Sequence, residues 1–153
     1  MWSIGCILAE ILIGKPLFPG NSTLNQLEKI LTFTGKPSKE DLNSLNSEIA
    51  TTMMDSVSEV KARHVNDFFK SDVSNEAINL VSRLLCFNPA KRLTVNEALK
   101  HPYFAKFSNP KEEIISNKII HPPISDNKKL HLRQYRQLIY ERIKELYGGY
   151  DKS

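Results

Sequence analysis

Two cysteines, four histidines and a scatter of carboxylates are the side chains of this 153-residue chain that could take part in chemistry. Cys6 and Cys86 each sit inside an apolar helical pattern, which reads as two small buried residues in a reducing compartment rather than a disulfide. No histidine, cysteine or carboxylate set has metal-ligand spacing. Asn21-Ser22-Thr23 has the form of a glycosylation acceptor, but it reads better as a helix cap in such a compartment. The net charge of +4 and pI near 9.0 would suit nucleic acid only if the cations shared a face. Lysine and arginine are instead mixed with aspartate and glutamate, so no nucleic-acid partner is expected. With 41% apolar and 25% charged residues, the composition is that of an ordinary globular domain.

The elements that must position these residues are helical. Residues 2–13 are apolar on nearly every face, the pattern of a helix surrounded by other structure. This opening stretch has no basic leader, carries Glu10 in its middle and is too short to span a bilayer, so neither signal peptide nor membrane anchor is expected. Gly14 ends the helix, and Pro16 with Pro19-Gly20 makes residues 15–20 a loop. The next helix is predicted from residues 21–23, with Thr23 and Gln26 as a capping box and Leu24, Leu27, Ile30 and Leu31 as its buried stripe; Gly35-Lys36-Pro37 stops it. Ser38 followed by Glu40 and Asp41 marks a further start, after which residues 43–72 carry short helical turns at best.

From Ser74 the periodicity returns, with Ala77, Ile78, Val81, Leu84 and Leu85 on one face, until Asn88-Pro89. Thr94-Val95-Asn96-Glu97 is a capping box opening a short helix that closes at His101-Pro102. Residues 103–130, with prolines at 110, 122 and 123, read as an extended tail laid over a surface. A last helix over residues 132–147 carries Tyr135, Leu138, Ile139, Ile143 and Leu146 on one stripe and ends at Gly148-Gly149. No strand pattern or internal repeat stands out, so the fold class is all-α.

Two motifs carry a resemblance. Trp2-Ser3-x-Gly5-Cys6-Ile7-x-Ala9-Glu10 followed by Pro16-Leu17-Phe18-Pro19-Gly20 resembles the central helix of the protein-kinase C-lobe and its following loop. Asn88-Pro89-x-Lys91-Arg92-Leu93-Thr94, then Ala98-Leu99-x-His101-Pro102-Tyr103-Phe104, resembles the segment that closes the kinase domain. Both in order, about 70 residues apart and joined by helices, are far more specific than either alone. Leu24-Asn25-Gln26-Leu27-Glu28-x-Ile30 and the stretch from Gly35 to Ser74 are similar to the MAP-kinase group, and the residues 22–28 to an atypical branch of it. The resemblance implies a helical C-lobe portion of the kinase fold over residues 1–104 and a MAP-kinase-type C-terminal extension over 105–153.

The same resemblance implies what is missing. Phosphoryl transfer needs a Gly-rich loop, a phosphate-binding lysine, a catalytic aspartate and Mg²⁺ ligands. The chain contains no Gly-x-Gly-x-x-Gly, His-Arg-Asp, Asp-Phe-Gly or Ala-Pro-Glu, and His64-Val65-Asn66-Asp67 matches none of them. No catalytic, cofactor-binding or metal residue is therefore expected here, ATP and Mg belonging to the parent family. In kinases the tryptophan lies two residues after an aspartate that holds the catalytic loop; Met1 occupies the residue between, which suggests a truncated gene model or an internal methionine start. Arg92 is expected to have lost a buried ion-pair partner, the glutamate of Ala-Pro-Glu, unless it is a solvated surface cation. Breaking such a pair costs about 3 to 5 kcal/mol, and helix 2–13 would lose its usual covering, so the isolated chain is expected to be partly molten or aggregation-prone.

Trp2, Gly5 and Arg92 are thus the structural motif residues. By resemblance, Glu112 and Glu113 stand where an acidic patch receives basic docking peptides, though Asn109 and Lys111 weaken it and both read equally as solvated charges. Leu24 and Leu27 stand at a second, apolar docking site, with Thr23 where an aromatic is usual, and both read also as core. The implied partners are protein substrates, upstream kinases, docking peptides and the rest of the kinase, the N-lobe included, in the cytoplasm or nucleus. The expected function is that of a fragment of an ATP-dependent serine/threonine kinase, the alternative being a non-catalytic docking module or decoy.

Overall fold

Five apolar residues on one helix, and a sixth just past its end, decide where the core forms. In the computed structural model, which describes residues 1–114, 116–122, 124 and 127–147, that helix is Asn75–Leu84. Its Ser74 hydroxyl accepts from the Ala77 N–H at 3.2 Å, which satisfies an orphan donor of the first turn. Ala77, Ile78, Leu80, Val81 and Leu84 are buried along it, and Leu85 follows as its last turn closes.

Four helices precede it: α1 (Trp2–Ile13), α2 (Thr23–Thr34), α3 (Lys39–Asn43) and α4 (Ala50–Asp55). The core helix is α5, followed by α6 (Val95–Leu99) and α7 (Leu132–Tyr147), with short 3₁₀ turns at Val65–Phe68, Pro89–Lys91 and Pro102–Phe104. The described residues contain no strand, in keeping with the all-α expectation.

Helix α5 divides the core in two. Val81 and Leu85 join Ala9 of α1 and Phe33 of α2, with Leu8, Leu12, Val65 and Phe68 packed around them. Leu80 and Leu84 join Leu93 and Ala98 of the following segment. Residues fall into two compact units, Met1–Lys111 and Glu112–Ser153, and both core clusters belong to the first.

Several expectations need correction, but the loss of covering expected for α1 is seen: Ala9 is fully buried, whereas Ile4, Ile7 and Ile11 are 53, 59 and 72% exposed. These three fall at i, i+3 and i+7, one side of a helix, whereas the side bearing Gly5 and Ala9 meets α5. Helix α2 is capped one residue earlier than predicted. The Ser22 hydroxyl accepts from the Asn25 N–H, and the Gln26 carboxamide reaches back to the Gly20 N–H at 3.0 Å instead of closing a box on Thr23. Its buried residues are Leu31 and Phe33 rather than the whole predicted stripe. Cys6 and Cys86 are half-buried free thiols, and burial pushes the Cys6 thiol up.

Helix stops fall where glycine is needed. Gly14 and Gly35 take φ of +80° and +77°, a region L side chains rarely adopt, and each backbone N–H returns to a carbonyl four residues earlier.

In the second unit, α7 spans the predicted residues but buries none of its side chains. Leu138, Ile139, Ile143 and Leu146 are 39, 56, 51 and 62% exposed. Ile114, Ile119 and Ile120 of the tail are likewise exposed, whereas Ile124 is half-buried beside Leu138 and Ile139 of α7. The predicted stop at Gly148-Gly149 lies outside the described residues.

Candidate functional site

The motif residues build one junction. A Cβ on Gly5 would stand 2.8 Å from Leu85 Cδ2 and 2.9 Å from Leu84 Cβ, so α1 and α5 approach more closely than any side chain allows. Glycine is required there by space, not by backbone conformation. One turn away, the Trp2 ring lies under the Arg92 guanidinium at 5.0 Å. Arg92 also donates from Nε to the Cys86 carbonyl and from Nη2 to the Phe87 carbonyl, satisfying two acceptors of the turn that follows α5. No carboxylate pairs with Arg92 among the described residues.

From Trp2 a file of aromatic rings crosses the unit. Trp2 stacks on Phe18 at 6.0 Å, Phe18 meets Phe33 edge-on at 5.7 Å, and Phe33 meets Phe68 at 5.1 Å, with Arg63 over the far ring. Such ring pairs add about 0.5–1.5 kcal/mol each beyond their burial, so the file ties α1, the Pro16–Gly20 loop, α2 and the 3₁₀ turn together. Phe33 and Phe68 carried no periodic signal of their own.

A second junction was legible only in part. Ser38 and Asp41 form the capping box of α3, with the Ser38 hydroxyl accepting from the Asp41 N–H and the Asp41 carboxylate from the Ser38 N–H. The same carboxylate accepts from Asn88 Nδ2 and Lys91 Nζ, both at 2.8 Å, two residues of the second motif. The Lys91 ammonium, then the Asn88 amide and the Ser38 donors, hold the Asp41 carboxyl well below the usual carboxylate range, and Lys91 is raised in turn. Asn88 is buried and its Oδ1 accepts from the Ala90 N–H, which fixes the turn of the Asn-Pro motif. The local cap was readable because its partners are three residues apart; the partners 47 and 50 residues away gave no sequence signal.

His101 closes the motif. It is 4% exposed, its Nε2 lies 2.9 Å from Asn79 Oδ1 of α5, and its Nδ1 accepts from the Tyr103 N–H at 3.3 Å. That pair of partners fits the neutral imidazole protonated on Nε2. Burial, assisted by Arg83, pulls its pKa down.

The docking candidates are differently placed. Leu24 is 40% exposed on the first turn of α2 and Leu27 is half-buried. Glu112 is exposed and Glu113 half-buried at the start of the second unit. For ATP and Mg²⁺, no group of three or more histidine, cysteine, aspartate or glutamate side chains able to hold a metal occurs among the described residues. No described helix is long and apolar enough to cross a membrane.

The chain is similar to known proteins. The protein kinase domain family matches residues 1–104. Mitogen-activated protein kinase 15 of Caenorhabditis elegans is 44% identical over 95% of this chain and 31% of its own length. Extracellular signal-regulated kinase 2 of Dictyostelium discoideum is 46% identical over 94% of the chain and 38% of its own length, and mitogen-activated protein kinase 15 of Xenopus laevis 42% over 95% and 25%. The chain thus spans well under half the length of these relatives. With its Trp2–Gly5 and Asn88–Arg92 motifs joined through α5, the chain belongs to the protein kinase family, and within it to the MAP kinases.

Proposed function

We propose that the protein works in signal transduction as an ATP-dependent serine/threonine kinase of the MAP-kinase type, in which this chain forms the helical, protein-binding half of the larger lobe. The observation that carries the reading is the junction of the two motifs: Gly5 seated on Leu84 and Leu85, and Arg92 held between Trp2 and the end of α5. The catalytic aspartate, phosphate-binding lysine and metal ligands of a kinase are not among these residues, so catalysis needs segments beyond the 153 residues given. ATP and Mg²⁺ would bind there, and protein substrates and upstream kinases would meet Leu24, Leu27, Glu112 and Glu113. Cytoplasm and nucleus are the compartments that suit this role.

Tagging the endogenous gene at its 3′ end and purifying the product tests the proposal. Because the MAP-kinase resemblance implies a proline-directed kinase, transfer of label from ATP to a Ser-Pro peptide, more than to a Ser-Ala peptide, and absence of transfer by the 153-residue chain alone are the expected results. The open side of α1 at Ile4, Ile7 and Ile11 supports this reading, because it leaves apolar area for further kinase structure to cover. A purified product no larger than this chain, inactive yet retaining MAP-kinase partners, would favour the docking-module reading. Fluorescence from the same tag reports the compartment.

A further inference from the structure

Beyond the two family docking positions, the first unit has a groove of about 480 Å³ between the loop after α1, the exposed side of α2 and the 3₁₀ turn at Val65–Phe68. Its floor is apolar, from Ile13, Leu17 and Phe68, all half-buried. Its rim is cationic: Lys15, Lys29 and Arg63 stand around it against one carboxylate, Asp67. Lys15 and Lys29 are exposed, and neither makes an ion pair among the described residues. Arg63 donates one Nη2 bond to the Asp67 carbonyl and lies over the Phe68 ring, which fixes its guanidinium at the edge with further N–H donors to give.

We infer that this groove is a docking site for an acidic, extended segment of a partner protein that seats one apolar side chain on the Leu17–Phe68 floor between flanking carboxylates. Charge complementarity selects the occupant: a net-positive rim attracts carboxylates, and the apolar floor rewards an aliphatic anchor. The volume falls in the range of sites that enclose small groups, enough for a side chain and its neighbouring backbone. Nucleic acid fits less well. Base stacking needs an open aromatic face, and Phe68 has one face under Arg63 and meets Phe33 edge-on.

The test is equilibrium binding, so it reads independently of kinase activity in the larger protein. The probe is a short fluorescein-labelled peptide of aspartate and glutamate around one central leucine, titrated with the full chain at low salt. Binding should weaken about tenfold or more in Lys15→Glu/Lys29→Glu, two exposed positions whose circular dichroism should stay native. Replacing the peptide's leucine by serine should weaken it by a similar factor through lost apolar burial. The inference fails if charge reversal has no effect, if the serine peptide binds equally well, or if an oligothymidylate of equal charge binds as tightly and loses as much on reversal.

Discussion

Helices α5 and α7 carry much the same amphipathic pattern and meet opposite fates. Along α5, Ala77, Ile78, Leu80, Val81 and Leu84 are all buried. Along α7, the equivalent stripe of Leu138, Ile139, Ile143 and Leu146 remains between 39 and 62% exposed. An apolar stripe therefore states a demand for a partner surface, and only the rest of the fold can meet it. Helix α1 shows both outcomes at once, with Ala9 sealed against α5 and Ile11 72% exposed two residues on. The polar surface of α7 instead makes local pairs, Gln137 with Glu141 and Arg142 with Glu145, which stabilise a helix only slightly.

The sharpest way to break this contrast is to delete equal amounts of side chain from the two helices. Leu80→Ala should lower unfolding free energy by about 2–5 kcal/mol, because the cavity cannot collapse inside a closed cluster. Leu146→Ala should cost less than about 0.5 kcal/mol, and urea midpoints measure both. Equal losses would mean that α7 is buried after all.

Gly5→Ala comes next. Its new methyl meets Leu84 and Leu85 below contact distance, so the helices must part, at about 1–3 kcal/mol in the same titration. Ser3→Ala, at an exposed position of the same helix, should change little.

Removing the cap of α6 is a smaller perturbation. The Thr94 hydroxyl accepts from the Glu97 N–H and donates to the Glu97 carboxylate, so Thr94→Ala should cost about 1 kcal/mol. On the exposed side of α1, Ile7→Gln/Ile11→Gln should hardly move the midpoint while reducing binding of an apolar dye by the native chain. Unchanged dye binding would show that this side is covered.

Acid is the mildest probe. The folded pKa of His101 lies below its ordinary 6.5, so its stabilising share is complete above that pH and is lost as pH falls through the folded value. Protonation at Nδ1 also forfeits the Tyr103 N–H bond. Asp41 behaves likewise lower down, fully contributing above about 3.8 and losing its share only in strong acid. The urea midpoint should therefore fall between pH 7 and 5 in the unmodified chain and less so in His101→Gln.

Much of this was legible because it is local. Gly14 and Gly35 stop helices through their own backbone freedom, Ser38 with Asp41 and Thr94 with Glu97 cap them across three residues, and the spacing from Ala77 to Leu85 names the core face of α5. The error at Ser22 arose where two neighbouring hydroxyl residues compete for one cap, a choice settled by Gln26 reaching back to Gly20. The two motifs themselves were readable as residues at fixed positions, and they were enough to indicate the kinase family.

Long-range partnership was not legible. That Asp41 would serve both its own helix and the Asn88-Pro89 turn, that Phe18, Phe33 and Phe68 would form one file from Trp2, and that Lys15, Lys29 and Arg63 would rim one groove depends on how α1, α2 and α5 pack. So does the difference between α5 and α7. By itself the sequence determined where helices begin, end and turn their apolar sides, since those are set within a few residues by backbone and capping groups. The tertiary structure alone decided which of those sides were satisfied, because burial is a property of two surfaces and the chain writes down only one at a time.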